Sequence, residues 1–211
     1  MTENIEVFTQ SSIRIRSNGK AIYIDPFGMR EEPKDADYIL ITHDHYDHFS
    51  PEDIAKVSSG NSVLVVPEKM LSKAQEVSGT VGRICTVTPC AYHNIDGLEM
   101  DTVPAYNSLK PFHPKSAGWV GYILHVDGRR IYIAGDTDMT KENKEVKCDI
   151  ALVPIGGTYT MDAKKAAELI NAIQPSVAIP THYGSIVGNK EDADVFAANV
   201  KDPIKVEINR L

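Results

Sequence analysis

Short apolar runs flanked by polar residues dominate this 211-residue chain. Ile13 and Ile15, then Ile22 and Ile24, alternate with polar neighbours at the period of a half-buried strand. Ser17-Asn18-Gly19-Lys20 separates the two runs, and Asn-Gly accepts the positive φ that a tight hairpin turn needs. The pattern predicts strands within 5–25, closed by Asp25-Pro26-Phe27-Gly28, then a charged loop over 29–37. An apolar run over 38–41 reads as a buried strand. A helix start follows, with Ser50 as N-cap, Pro51 at the first helical position and Asp53 where a capping acid sits.

The pattern continues with a strand at 63–66 and a helix opened by Pro67 and running to about residue 78. Strands at 84–87 and 98–103 follow, the second after an Asp96-Gly97 turn. A long loop over 104–118 holds Pro104, Pro111 and Pro114. A hairpin over 119–126 and 129–134 turns at Asp127-Gly128. A buried strand over 149–155 leads to a helix over 162–173 with Ala163, Ala166, Ala167, Ile170 and Ile173 on one face. A buried strand at 177–180, a helix at 192–200 and a strand at 204–208 complete the chain. No linker, repeat or low-complexity segment interrupts it, so 1–211 reads as a single α/β domain.

Four buried strands end in polar or glycine chemistry: 39–41 into His43, 131–133 into Gly135-Asp136-Thr137-Asp138, 151–153 into Gly156-Gly157, and 177–179 into Thr181-His182-Tyr183-Gly184. Sites in α/β proteins form beyond strand carboxyl ends, and several such ends can converge on one site.

Composition narrows the class. Hydrophobic residues make up 42% and charged residues 24%, as in ordinary soluble domains. No apolar run spans a bilayer, and residues 1–4 lack the charged and apolar regions of a signal peptide. The three cysteines, Cys85, Cys90 and Cys148, form no C-x-x-C pair and read as reduced thiols in a cytoplasm. A formal charge of −7 argues mildly against a nucleic-acid partner, which needs a basic face.

The chemistry concentrates in Thr42-His43-Asp44-His45-Tyr46-Asp47-His48. Residues 43–48 hold three of the seven histidines and two aspartates. Such residues crowd badly in a core, whereas a divalent cation takes neutral imidazole and carboxylate as ligands. His43 and His45, two apart on a loop, face one ion. Asp47 and His48, on the turn into the helix, serve a second. Asp136, in a Gly-Asp-Thr segment after a buried strand, is placed to bridge two ions. His182, taken alone, reads more readily as a structural histidine.

In this order the residues resemble the metallo-β-lactamase superfamily. The likeness rests on H-x-H-x-D-H (His43, His45, Asp47, His48), the Asp25-Pro26 turn, the Gly-Asp-Thr segment and the final histidine. Pro154-Ile155-Gly156-Gly157, Tyr159-Thr160-Met161 and Pro180-Thr181-His182-Tyr183-Gly184 resemble the branch containing L-ascorbate-6-phosphate lactonases and N-acyl-phosphatidylethanolamine phospholipases D. The resemblance implies a four-layer αβ/βα sandwich with a dinuclear site at one edge of two sheets. One ion takes His43, His45 and a third histidine; the other takes Asp47, His48 and His182; Asp136 bridges. The branch carries that third histidine soon after a Pro-Ala segment, and this chain has Asn107 there. Asn107 through its amide oxygen, His113 six residues on, or a site short of one ligand are the alternatives; His113 is preferred, imidazole being the stronger zinc ligand.

The expectation is therefore a hydrolase with two divalent ions, zinc with manganese or iron as alternatives, and Asp47 and Asp136 in catalytic positions. Its substrate is a small, anionic ester, lactone or phosphodiester, with Lys110 and Lys115 as candidate anion contacts. Neither a nucleic acid nor a membrane is expected as partner, and a homo-oligomer stays open. The alternative is a non-catalytic sensor on the same scaffold, motivated by Asn107.

Overall fold

The computed structural model describes residues 2–108 and 110–208. They form two compact units, one up to Thr88 and one from Pro89.

The first unit carries β1 (Ile5–Val7), β2 (Ile13–Ser17), β3 (Lys20–Ile24), β4 (Ala36–Leu40), α1 (Pro51–Val57), β5 (Ser58–Pro67), α2 (Leu71–Ala74) and β6 (Arg83–Val87). The sheet order is β1-β2-β3-β4-β5-β6. The first two pairings are antiparallel and the rest parallel. Asn18 and Gly19 take the positive φ values, 50° and 75°, that the turn between β2 and β3 requires. α1 starts as the sequence predicts: the Ser50 side chain accepts from Asp53 N at 3.3 Å. Ile39, Ile41, Ile54, Val57, Leu64 and Val66 form the centre of this unit's core.

The helix expected over 67–78 is broken. A 3₁₀ turn (Glu68–Met70), the four-residue α2 and a second 3₁₀ turn (Gln75–Val77) replace it, and none has a side-chain cap. The apolar face survives the break, because Met70, Ala74 and Val77 are all buried at near-helical spacing. Packing, rather than intrinsic helix stability, holds so short a segment.

The second unit carries β7 (Tyr92–Ile95), β8 (Leu98–Pro104), β9 (Val120–Val126), β10 (Arg129–Ile133), β11 (Ile150–Pro154), α3 (Ala163–Ile173), β12 (Val177–Thr181), α4 (Asp192–Asn199) and β13 (Lys205–Val206). The order β13-β12-β11-β10-β9-β8-β7 puts the pattern-poor β7 at an edge. β10 to β13 pair in parallel; β7 to β10 pair antiparallel. α3 is the crossover from β11 to β12. Asp162 caps it by accepting from Lys165 N at 2.8 Å, and Ala166, Ala167 and Ile170 bury against the cluster that holds Val153 and Phe196. Among the described residues no helix is long and apolar enough to cross a membrane.

Candidate metal centre

In the first unit three loops leave one end of the sheet. Ile13, Ile24 and Leu40 stand side by side across β2, β3 and β4. The chain before Ile13, the chain after Ile24 and the histidine segment after Leu40 therefore emerge together. The segment is irregular from residue 41 to Ser50, where α1 is capped. Both His48 N and Phe49 N donate to His45 O, at 3.0 and 2.8 Å, which curls the segment so that its imidazoles meet. His43 Nε2 lies 3.1 Å from His45 Nδ1, and the His43 and His48 rings are 3.9 Å apart between centroids. Asp47 Oδ2 is 3.6 Å from His48 Nε2. His43, Asp47 and His48 are buried, while Tyr46 stands 66% exposed at the tip.

Asp25 organises this segment from below. It is fully buried, with φ of 45°. Its carboxylate accepts from Thr42 N at 2.8 Å and from Thr42 Oγ1 at 2.6 Å, and lies 2.7 Å from His48 Nδ1. Burial pushes the Asp25 carboxyl above its ordinary range, against the His48 and Thr42 interactions that pull it down. A carboxylate on Nδ1 fixes the imidazole so that Nε2 faces away, as histidine ligands of metals are commonly held. The sequence offers Asp25 only as the start of a turn; a buried strand ending directly in Asp-Pro is the one local signal of its role.

In the second unit β8 and β10 both run antiparallel to β9, so β8, β10, β11 and β12 point the same way. Thr102, Ile133, Leu152 and Ile179 lie on one row across the sheet, joined through Tyr122. Beyond that row come Asn107 and His113, Asp136, Gly156 and His182. His113 and His182 are 1% and 2% exposed, and each places Nε2 3.4 Å from Asp136 Oδ2. One carboxylate oxygen thus lies between two imidazole nitrogens. Both histidines take left-handed backbone, φ 57° and 56°, a strain that surroundings must hold in place. Gly156 has a steric reason: a side chain there would run into the His182 carbonyl oxygen.

Asn107 sits beside His113 and not in its place. Its Nδ2 donates to Tyr159 O at 2.7 Å and lies 3.2 Å from His113 Nδ1. His113 also packs edge-on against Trp119, with ring centroids 5.3 Å apart. Both candidate lysines are paired within the chain. Lys110 Nζ donates to Asp138 Oδ1 at 2.8 Å, to Gly157 O at 3.3 Å and to Thr160 O, which ties the two loops together. Lys115 Nζ donates to Glu142 Oε1 at 2.6 Å. The exposed groups next to His113 and Asn107 are aromatic instead: Phe112 and Tyr159 meet edge-to-face at 4.9 Å.

A family model described as the β-lactamase superfamily domain matches residues 4–182. A UPF0173 metal-dependent hydrolase of Pyrococcus abyssi is 33% identical over 205 residues, covering 90% of this chain and 88% of its own. A crystal structure from Parabacteroides distasonis, described as a metal-dependent hydrolase, superposes with a TM-score of 0.81 at 30% identity, covering 98% of this chain and 92% of its own. The diiron β-hydroxylase CmlA of Streptomyces venezuelae shares the fold alone, with a TM-score of 0.78 at 14% identity over 98% of this chain and 52% of its own. The mixed sheets with their helices are thus the α/β metallo-β-lactamase fold. The chain belongs to the metallo-β-lactamase superfamily, and within it to the UPF0173 family of metal-dependent hydrolases.

Proposed function

We propose that this hydrolase holds two divalent ions and cleaves an ester, lactone or phosphodiester of a small anionic substrate. In this reading His43, His45 and His113 take one ion, Asp47, His48 and His182 the other, and Asp136 bridges. The observation that carries it is the buried His48 ring held by Asp25 at 2.7 Å inside a packed trio of imidazoles. Three imidazoles in contact repel if protonated, and a cation relieves the crowding. Donor chemistry in the second unit fits as well, since His113 and His182 flank the Asp136 carboxylate. The family model spans both units, which supports one hydrolase domain over 1–211.

Bound ions would supply Lewis acidity and a water acidic enough to act as nucleophile near neutral pH. The chain's own residues do the rest. Asp25 fixes the His48 ring, and Asp47, beside His48, receives the proton released during attack. A preference for anions then rests on the ions' charge, because Lys110 and Lys115 are paired. Zinc is the first choice for an imidazole-rich set, with manganese and iron as alternatives; the diiron chemistry named for CmlA keeps iron in the comparison. The lactonase-like reading rests on segments 154–157, 159–161 and 180–184. A cytoplasmic setting without a nucleic-acid partner accords with three free cysteines and the net charge of −7.

The test is turnover by protein purified without chelators and supplied with Zn²⁺ or Mn²⁺. Bis-p-nitrophenyl phosphate and a lactone panel serve as substrates. At least one should be hydrolysed, and His45→Ala should abolish the activity; activity that survives that substitution overturns the assignment.

A further inference from the structure

Gln10 is the residue of the first unit that its own surroundings do not explain. It lies in the 8–12 turn between β1 and β2, 3% exposed. Among the described residues neither its Nε2 nor its Oε1 has a hydrogen-bond partner. Its backbone is left-handed, φ 58°, where a long side chain costs strain. Buried polar groups are nearly always satisfied, and unmet polar demand combined with strain gathers at functional sites. A methionine would fill the same space without that demand.

The position of the turn is informative. Residue 13 opens β2 at the end of the sheet where β3 finishes at Ile24 and β4 at Leu40. Two strand spacings separate β2 from β4, so the turn stands roughly 10 Å from the base of the histidine segment. Ser12 Oγ bonds Met29 Sδ at 3.7 Å, and a side chain on Gly28 would meet Thr9 at 3.4 Å, which packs the turn on the 25–29 loop. That loop starts with Asp25, the holder of His48.

We propose that Gln10 is a substrate-contacting residue. Its carboxamide pairs with a substrate group that presents an acceptor oxygen and an O–H or N–H side by side, as a hydrogen phosphate or an amide does. The acceptor takes a hydrogen from Nε2, and the donor gives one to Oε1. The proposal rests on the hydrolase reading, but its test does not require turnover.

Metal-loaded wild type, Gln10→Met and Gln10→Asn are compared by melting temperature, metal content and affinity for two probes, inorganic phosphate and acetamide. Asparagine keeps the left-handed backbone but withdraws the amide by one methylene. Gln10→Met should melt about 2–4 °C higher, since it removes unmet polar atoms. Both variants should keep the wild-type metal content. Affinity for at least one probe should fall about tenfold in both, which is the scale of one hydrogen-bonding contact. Loss for phosphate assigns an oxyanion group and loss for acetamide an amide. Unchanged affinity for both probes, a lower melting temperature in Gln10→Met, or lost metal would each overturn the proposal. Wild type that binds a probe through Gln10 but turns nothing over would sink the hydrolase reading alone.

Discussion

Removing the Asp25 carboxylate should damage metal binding without touching a ligand. In Asp25→Ala three buried donors lose their acceptor: Thr42 N, Thr42 Oγ1 and His48 Nδ1, now at 2.8, 2.6 and 2.7 Å. Thr42 Oγ1 has a second partner in His43 Nδ1 at 3.0 Å and lies 3.4 Å from His48 Nδ1, so Thr42 N loses its acceptor outright and His48 Nδ1 keeps only a long contact. At about 1–3 kcal/mol for each of these two groups, the loss is roughly 2–6 kcal/mol. Relief from burying the carboxylate returns part of it, and about 3 kcal/mol is the expected net cost. A 211-residue chain should then melt roughly 6–12 °C lower. The more telling readout is zinc affinity, measured by competition with a chromophoric chelator. Freed from Asp25, the His48 ring loses its fixed orientation, and affinity at its ion should drop by about 10–100-fold. A variant that melts lower but binds zinc as tightly as wild type would show Asp25 to be a packing residue and refute the reasoning.

Three other consequences are open to simple assays. Lys110→Met should lower the melting temperature by severing its bonds to Asp138, Gly157 and Thr160, and leave phosphate affinity unchanged; weaker phosphate binding would restore Lys110 as an anion contact. Although burial raises it, Glu142 is held well down, to about 2 from 4.5, by Lys115 and Tyr106. Its stabilisation, about 1 kcal/mol for a partly exposed pair, is complete above pH 4.5 and lost as pH falls toward 2. Glu142→Gln should therefore lose stability at pH 7 but not near pH 2, and an equal loss at both would contradict the pairing. Trp119 is the chain's one tryptophan and packs on His113, so adding zinc to metal-free protein should change its fluorescence in wild type and not in His113→Ala.

Much of the fold is legible because its strands are buried in ways that leave a pattern. β10, β11 and β12 read as apolar runs, and the α1 cap at Ser50 is visible residue by residue. β7 is not: Tyr92 and Asn94 face solvent at a sheet edge, so no apolar face marks it. Nor is the break at 67–78, since Met70, Ala74 and Val77 keep helical spacing through it. The donor types are local and stand out in the sequence. What supports them is not local. Asp53 reads as a capping acid, yet its carboxylate also accepts from Gly28 N and Met29 N, both at 3.0 Å, some 25 residues away. Asn107 and Lys110 act through Tyr159, Gly157 and Thr160, which no spacing rule connects to them.

The proposal of two bound ions, with His113 completing one ligand set, is tested most directly by counting metal. Metal-free protein is dialysed to equilibrium against excess Zn²⁺, and bound zinc per chain is measured for wild type and His113→Ala. Two ions are expected in wild type and one in the variant. One ion or none in wild type, or two in His113→Ala, would contradict the proposal.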